Sequence, residues 1–307
     1  MTKVAVLGTG RMGGAIARRL AASGFDLTLW DRTPAKAQAL NAGRVAPTPA
    51  DAIRGADIAI SSLTNAAAVR DVYLGPDGAF GTSDGSLFVE MSTAGPESIE
   101  HLSQEARTRG LRLLEAPVLG SVPAVESGTL AVLIGGSPQD LGRARPVLER
   151  LGEIHYVGGF GSAARLKLVA NTMLGITSAA AAELLAAGVA AGLDREQVFW
   201  ALLRFAPALK AREAGFMRDK HEPTMFAVHD LLKDLGLALE VYERANAAVT
   251  LTRETRELFD ETASASGDLD ISAIVTAYSS GNRRAPSLPS DQREQLAEKF
   301  DEEAQKK

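Results

Sequence analysis

The 307-residue chain has no cysteine. Disulfide frameworks, thiolate metal sites and cysteine nucleophiles are thereby excluded together, and a reducing compartment fits, so the expected location is cytoplasmic. Histidine is scarce. His101, His155, His221 and His229 are scattered, and no pair has HExxH or HxxxH spacing, so no metal site is expected. Basic charge is not in excess either. The net charge is −5, without the basic footprint that neutralises phosphates, and no nucleic-acid partner is expected. One stretch only, the alanine-rich 174–193, approaches the length of a membrane span. It contains Glu183, charged residues lie around it, and it reads as a buried helix with no membrane partner.

What is present is an ordinary globular composition, 46% hydrophobic and 23% charged, long enough for two domains. Short, nearly continuous apolar runs at 3–7, 26–30, 58–62, 87–91, 112–115 and 131–134 read as strands. Amphipathic stretches at 12–23, 34–42, 66–72, 96–109 and 140–151 lie between them. Such alternation predicts parallel strands with helical crossovers. After the glycine-rich turn 158–162 the strand signals stop, and long helical patterns run to about residue 278. The expected fold class is an α/β Rossmann domain with a parallel sheet (1–162), joined by a long interdomain helix to an all-α domain (163–280). A polar tail (281–307) follows.

Gly8-Thr9-Gly10-Arg11-Met12-Gly13 is a GxGxxG between a strand and a helix. That context is what dinucleotide binding requires: a tight turn, close approach of a pyrophosphate, and close strand–helix packing. The second strand ends in Asp31, a candidate for the ribose 2′-OH of NAD. Arg32, Thr33 and Lys36 beside it suit a 2′-phosphate. The balance favours NADP and leaves NAD open. In the interdomain helix, Lys167 is the only lysine of a segment uncharged from 168 to 182. Burial lowers a lysine pKa, which suits acid–base work near neutral pH; spacing alone equally allows the side chain to snorkel to water. Asn171 lies one turn on, on the same face, with Ser178 further along.

Four segments in this order resemble the β-hydroxyacid dehydrogenase family. They are the glycine loop (GxGxMG), Glu90-Met91-Ser92-Thr93 through Pro96 (D-x-S-T-x-x-P), Glu115-Ala116-Pro117-Val118-Leu119-Gly120-Ser121 (D-A-P-V-S-G-G), and Gly158 through Lys167 and Asn171 (G-x-x-G-x-G-x-x-x-K-x-x-x-N); a later Lys233-Asp234 matches a K-D. The resemblance implies an NAD(P)-dependent oxidoreductase of small aldehydes, keto acids or β-hydroxy acids. It implies Lys167 as proton donor and acceptor, Asn171 orienting the substrate, and Leu119, Gly120 and Ser121 offering backbone amides to a carboxylate. Leu63, Thr64, Thr93 and Lys233 are implied at the cofactor, and a homodimer or homotetramer as the assembly. Leu119 departs from the family's serine, which keeps imine reduction open as a second reading; a non-catalytic cofactor-binding regulator is a third. His229 reads as a surface or core histidine.

Overall fold

The computed structural model of the chain describes residues 2–82 and 85–279, so the expected tail lies outside the described residues. The N-terminal half runs β1 (Lys3–Leu7), α1 (Arg11–Ala22), β2 (Asp26–Trp30), α2 (Pro34–Ala39), β3 (Arg44–Val45), α3 (Pro49–Ile53), β4 (Ile58–Ser61) and α4 (Ala66–Leu74). It continues through β5 (Leu87–Glu90), α5 (Pro96–Thr108), β6 (Arg112–Glu115), β7 (Val118–Leu119), α6 (Val122–Ser127), β8 (Leu130–Gly136), α7 (Pro138–Leu148) and β9 (Gly152–Gly158). These strands form one sheet of order β3-β2-β1-β4-β5-β6-β8-β7, with β9 on β8.

The strands β1 to β6 are parallel as expected. The sheet then reverses: β8 is antiparallel to both β6 and β7. The physical reason is length. A parallel return takes a crossover of about a dozen residues or more, and the 120–129 connection is shorter. The β9 strand shows no apolar run because it is half exposed. Strand order changes direction between β1 and β4, the point where ligands of doubly wound sheets sit, beyond the carboxyl ends of the strands.

Helices cover both sheet faces and bury two apolar cores, one centred on Ile16, Leu29 and Val132, the other on Leu7, Tyr73 and Phe88. Tyr73, Phe80 and Phe88 stack edge to face in the second, with ring centroids 4.9 to 5.8 Å apart, and the Tyr73 hydroxyl bonds Ser61 Oγ at 2.7 Å. A sequence with few aromatics therefore spends three of them directly behind the switch point.

The C-terminal half is helical: α8 (Ser162–Ala190), α9 (Arg195–Phe205), α10 (Glu213–Arg218), α11 (Val228–Arg244), α12 (Thr250–Ser266) and α13 (Thr276–Ser279). A third core forms around Leu185, Phe216, Leu231 and Phe259. Helix α8 is long and apolar enough to cross a membrane, yet only 33% of its most apolar stretch is buried within the chain. The expectation of a buried helix is thus met on one face alone. Val169, Met173, Leu184 and Val189 are exposed on it, because composition says a helix is apolar without saying what covers it.

The glycine loop shows where a side chain cannot go. A Cβ on Gly13 would sit 2.0 Å from Gly8 O, whereas one on Gly10 would meet no protein atom within 4 Å. Gly13→Ala is therefore expected to destabilise the fold by about 1–3 kcal/mol in chemical denaturation, and Gly10→Ala to leave the midpoint unchanged.

Candidate active site

The cleft lies where α8 and α11 meet the carboxyl ends of β4, β5 and β6. Its cofactor side begins at Gly8, whose φ of 89° only glycine adopts without strain, and whose Cβ would meet Ser62 O. Gly10 precedes α1 and offers no side-chain cap, so the first amides of the helix and its positive dipole end face the open side. That open, uncapped helix start beside a bare Gly10 fits a pyrophosphate. Arg11 and Met12 open α1, Arg11 exposed and Met12 packed on the first core.

The end of β2 is more committed than its sequence suggests. Asp31 Oδ2 accepts from Thr9 N at 2.7 Å and Thr9 Oγ1 at 3.0 Å, and Asp31 Oδ1 accepts from Thr33 N at 2.8 Å. The carboxylate thus braces the glycine loop. Arg32, Thr33 and Lys36 are exposed beside it.

On the opposite side, Lys167 lies on the second turn of α8, half-buried, and its Nζ donates to Val118 O at 2.7 Å. This contact sets the amine against the turn that follows β7. Leu119, which ends β7, is half-buried; in the turn, Gly120 is exposed with φ 128°, and the Ser121 hydroxyl makes no bond to the helix it precedes. Burial lowers the Lys167 pKa to about 8; the Asp234 carboxylate pushes it up and the Lys233 ammonium pushes it down. Snorkelling is not what the structure finds: the amine turns inward.

Asn171 is buried and its Nδ2 donates to Asp234 Oδ2 at 2.6 Å. Lys233 Nζ donates to Asp234 Oδ1 and to Thr93 O, both at 2.6 Å. Residues 93, 118–121, 167, 171 and 233–234 thereby meet in one place. Leu63 N donates to Ser92 Oγ at 2.8 Å, tying two strand-end loops together, and Thr64 is exposed beyond it. Ser178, further along the polar stripe, does not reach the site, and His229 lies at the surface, within its sequence reading as a surface or core histidine. Ser178 turns back on its own helix, donating to Leu174 O at 2.8 Å, and His229 is exposed with Asp268 3.7 Å away.

The sequence missed three carboxylates. Asp234 was visible only as the second half of a dipeptide, although it is 2% exposed and joins Lys233 to Asn171. Glu90 and Glu115 are register partners on β5 and β6, at the last position of each strand, 2% and 1% exposed. Desolvation raises both to about 7. Their signal was a charge directly after an apolar run, Leu87–Val89 in β5 and Leu113–Leu114 in β6.

Two family models cover nearly the whole described chain. Residues 3–159 match the NAD binding domain of 6-phosphogluconate dehydrogenase, and residues 161–278 match the NAD-binding domain of NADP-dependent 3-hydroxyisobutyrate dehydrogenase. A 3-hydroxyisobutyrate dehydrogenase of Pseudomonas aeruginosa is 34% identical over 91% of this chain and 99% of its own length. The chain belongs to the β-hydroxyacid dehydrogenase family. Another relative, the NAD-dependent L-serine dehydrogenase of the same organism, is 32% identical over 81% of this chain and 88% of its own. Among solved structures, the Mycobacterium tuberculosis 3-hydroxyisobutyrate dehydrogenase with L-serine superposes with a TM-score of 0.78 at 27% identity, covering 90% of this chain and 98% of that one. In this β-hydroxyacid dehydrogenase, the two family segments meet between β9 and α8, at the glycine turn that precedes Lys167.

Asp234→Ala would leave a buried amide and a half-buried ammonium without their shared acceptor. A loss on the order of 2 kcal/mol is expected in urea denaturation at unchanged slope, since removing one member of a buried polar pair strands the others.

Proposed function

We propose that this protein is an NAD(P)-dependent oxidoreductase that moves a hydride between the nicotinamide and a small hydroxy acid or its carbonyl counterpart, with Lys167 as the general acid and base. The observation that carries this reading is the inward-turned amine, bonded to Val118 O and titrating near 8, in the cleft facing the glycine loop.

When bound, the cofactor supplies the hydride and its acceptor. Gly8, Thr9, Gly10, Arg11, Met12 and Gly13 would hold its pyrophosphate, and Asp31, Arg32, Thr33 and Lys36 its adenosine end. Leu63, Thr64, Thr93 and Lys233 would line the nicotinamide end. The amides of Leu119, Gly120 and Ser121 would hold the substrate carboxylate, and Asn171 would orient the reacting oxygen beside Lys167. In reduction, negative charge grows on that oxygen, and the Lys167 ammonium stabilises it and gives up a proton. In oxidation the neutral amine takes the hydroxyl proton. Two relatives are named for 3-hydroxyisobutyrate and L-serine, both small acids bearing a hydroxyl, which supports the substrate class. Leu119 narrows the choice toward a less polar substrate. Imine reduction and a regulator without turnover are the weaker readings, because the buried lysine and its asparagine are both in place for a C=O substrate.

Asp31 is engaged by Thr9 while Arg32 is exposed, and that supports NADP as the preferred cofactor, with NAD also accepted. A cytoplasmic location and a homodimer or homotetramer are part of the proposal. The absence of cysteine supports the first. The exposed Met173, Trp200 and Phe205 of the helical half support the second.

Turnover of 3-hydroxyisobutyrate and L-serine with NADP+ and NAD+ tests the reaction. Lys167→Ala is expected to lower kcat by roughly 10²–10⁴-fold while cofactor titration is unchanged. In the wild type, the oxidation rate rises with pH through about 8 as the amine loses its proton, and the reduction rate falls through the same pH. A Lys167→Ala enzyme as active as the wild type would overturn the assignment. Arg32→Ala is expected to weaken NADP+ binding by roughly ten- to a hundredfold, the worth of a charged hydrogen bond, with NAD+ affinity unchanged in fluorescence titration.

A further inference from the structure

We propose that Glu115 is a positioning residue for Lys167: from the end of β6, its carboxylate caps the start of α8 and so fixes the turn that carries the amine. The inference rests on the acid–base role of Lys167 given above.

Helix α8 begins without a cap of its own. Its N-cap residue is Gly161, with φ 85° and no side chain to accept from the first-turn amides. Glu115 supplies the missing acceptor from another strand. Its Oε1 accepts from Ala163 N at 3.0 Å and its Oε2 from Ala164 N at 3.2 Å. A carboxylate here also meets the positive end of the dipole of a 29-residue helix. Lys167 follows Ala163 by four residues, one turn on the same face.

The stretch from the end of β6 into β7 grips α8 twice. Glu115 takes the amides of the first turn, and Val118 O, three residues on, takes the Lys167 amine at 2.7 Å. Glu115, Pro117 and Lys167 line one small cavity with Glu90 and Ser92. The neighbouring strand leaves room for this arrangement. Gly135 of β8 is the register partner of Glu115, and a Cβ on it would sit 1.9 Å from Glu115 Oε1. The φ of Gly135 is not in the left-handed region, so what its missing side chain provides is the slot for the carboxylate. Burial pushes the Glu115 pKa up to about 7, and the amides of Ala163, Ala164 and Gly161 with the Arg165 guanidinium oppose that rise.

Two variants attack the cap from opposite sides. Glu115→Gln keeps the shape but offers one acceptor to two amide donors. Gly135→Ala keeps the carboxylate and takes its space. Each is expected to lower kcat for 3-hydroxyisobutyrate oxidation on the order of 10²-fold, the cost of a misplaced reacting group, with NADP+ affinity unchanged. In the cofactor-free protein, side-chain 15N NMR is expected to show the Lys167 titration moving from about 8 toward the ordinary 10.5 as its turn loosens into water. Wild-type kcat and an unmoved Lys167 titration in the variants, with only a lowered melting temperature, would overturn the proposal. If Glu115→Gln does not fold, Gly135→Ala carries the test. Lys167→Ala run alongside separates the two claims. An active Lys167→Ala enzyme sinks the acid–base reading itself, whereas an inactive one beside unaffected Glu115 and Gly135 variants sinks only the role of Glu115.

Discussion

Polar groups taken out of water must find partners, and at the junction of the two halves of this chain they find them across the junction. The Lys167 amine bonds the Val118 carbonyl of β7. Lys233 of α11 bonds Thr93 O beyond β5. The amides of α8 bond Glu115 of β6. An unmade buried hydrogen bond costs more than a made one contributes, so these pairings hold the halves in register more firmly than their modest net stabilisation suggests. The exposed ion pairs that also cross the junction, Arg11 to Asp230 at 3.2 Å and Arg165 to Glu100 at 2.7 Å, add little by comparison because solvent screens them.

The same requirement sets the chemistry. Burial lowers a lysine pKa, and close pairing with a carboxylate raises it. Here desolvation is the largest influence, and the opposed charges of Asp234 and Lys233 partly offset each other, leaving the amine near 8. Asp234 bonds Lys233 and Asn171 rather than Lys167. It therefore holds the neighbours of the amine in place without locking the amine itself in a salt bridge, which would make proton release costly.

How much of this the sequence disclosed follows from how local each feature is. The glycine loop was legible because strand, turn and helix occupy one short segment, and each glycine answers to contacts inside it. Lys167 was legible because it is the last charge before the long uncharged stretch 168–182 of an apolar helix. The antiparallel return of β8 was not, since it depends on counting a connection that starts from β7, a two-residue strand too short to be recognised. The β9 strand was hidden because none of its positions is fully buried, so no apolar run marks it. Glu90, Glu115 and Asp234 were hidden for a different reason: each is buried with at least one partner distant in the chain, Ser61, Ala163 and Asn171 in turn, and a carboxylate with a remote partner looks like any solvated one. Asp31 shows the converse. Its position suggested a ligand contact, and its oxygens are already engaged by Thr9 and Thr33.

Helix α8 unites these themes. Its first turns bury Lys167 and Asn171 between the sheet and α11, where every polar atom must be placed. On the other face, Val169, Met173, Leu184 and Val189 are apolar and exposed, as are Trp200 and Phe205 of α9. Apolar side chains left in water carry no such demand for direction, and any complementary apolar surface that covers them gains the same area-dependent stabilisation. One helix thus carries two kinds of constraint. The polar end requires angstrom-level placement from within the chain and fixes the reaction geometry. The apolar face specifies only shape and area, so substitutions there can alter association while leaving the position of the amine intact.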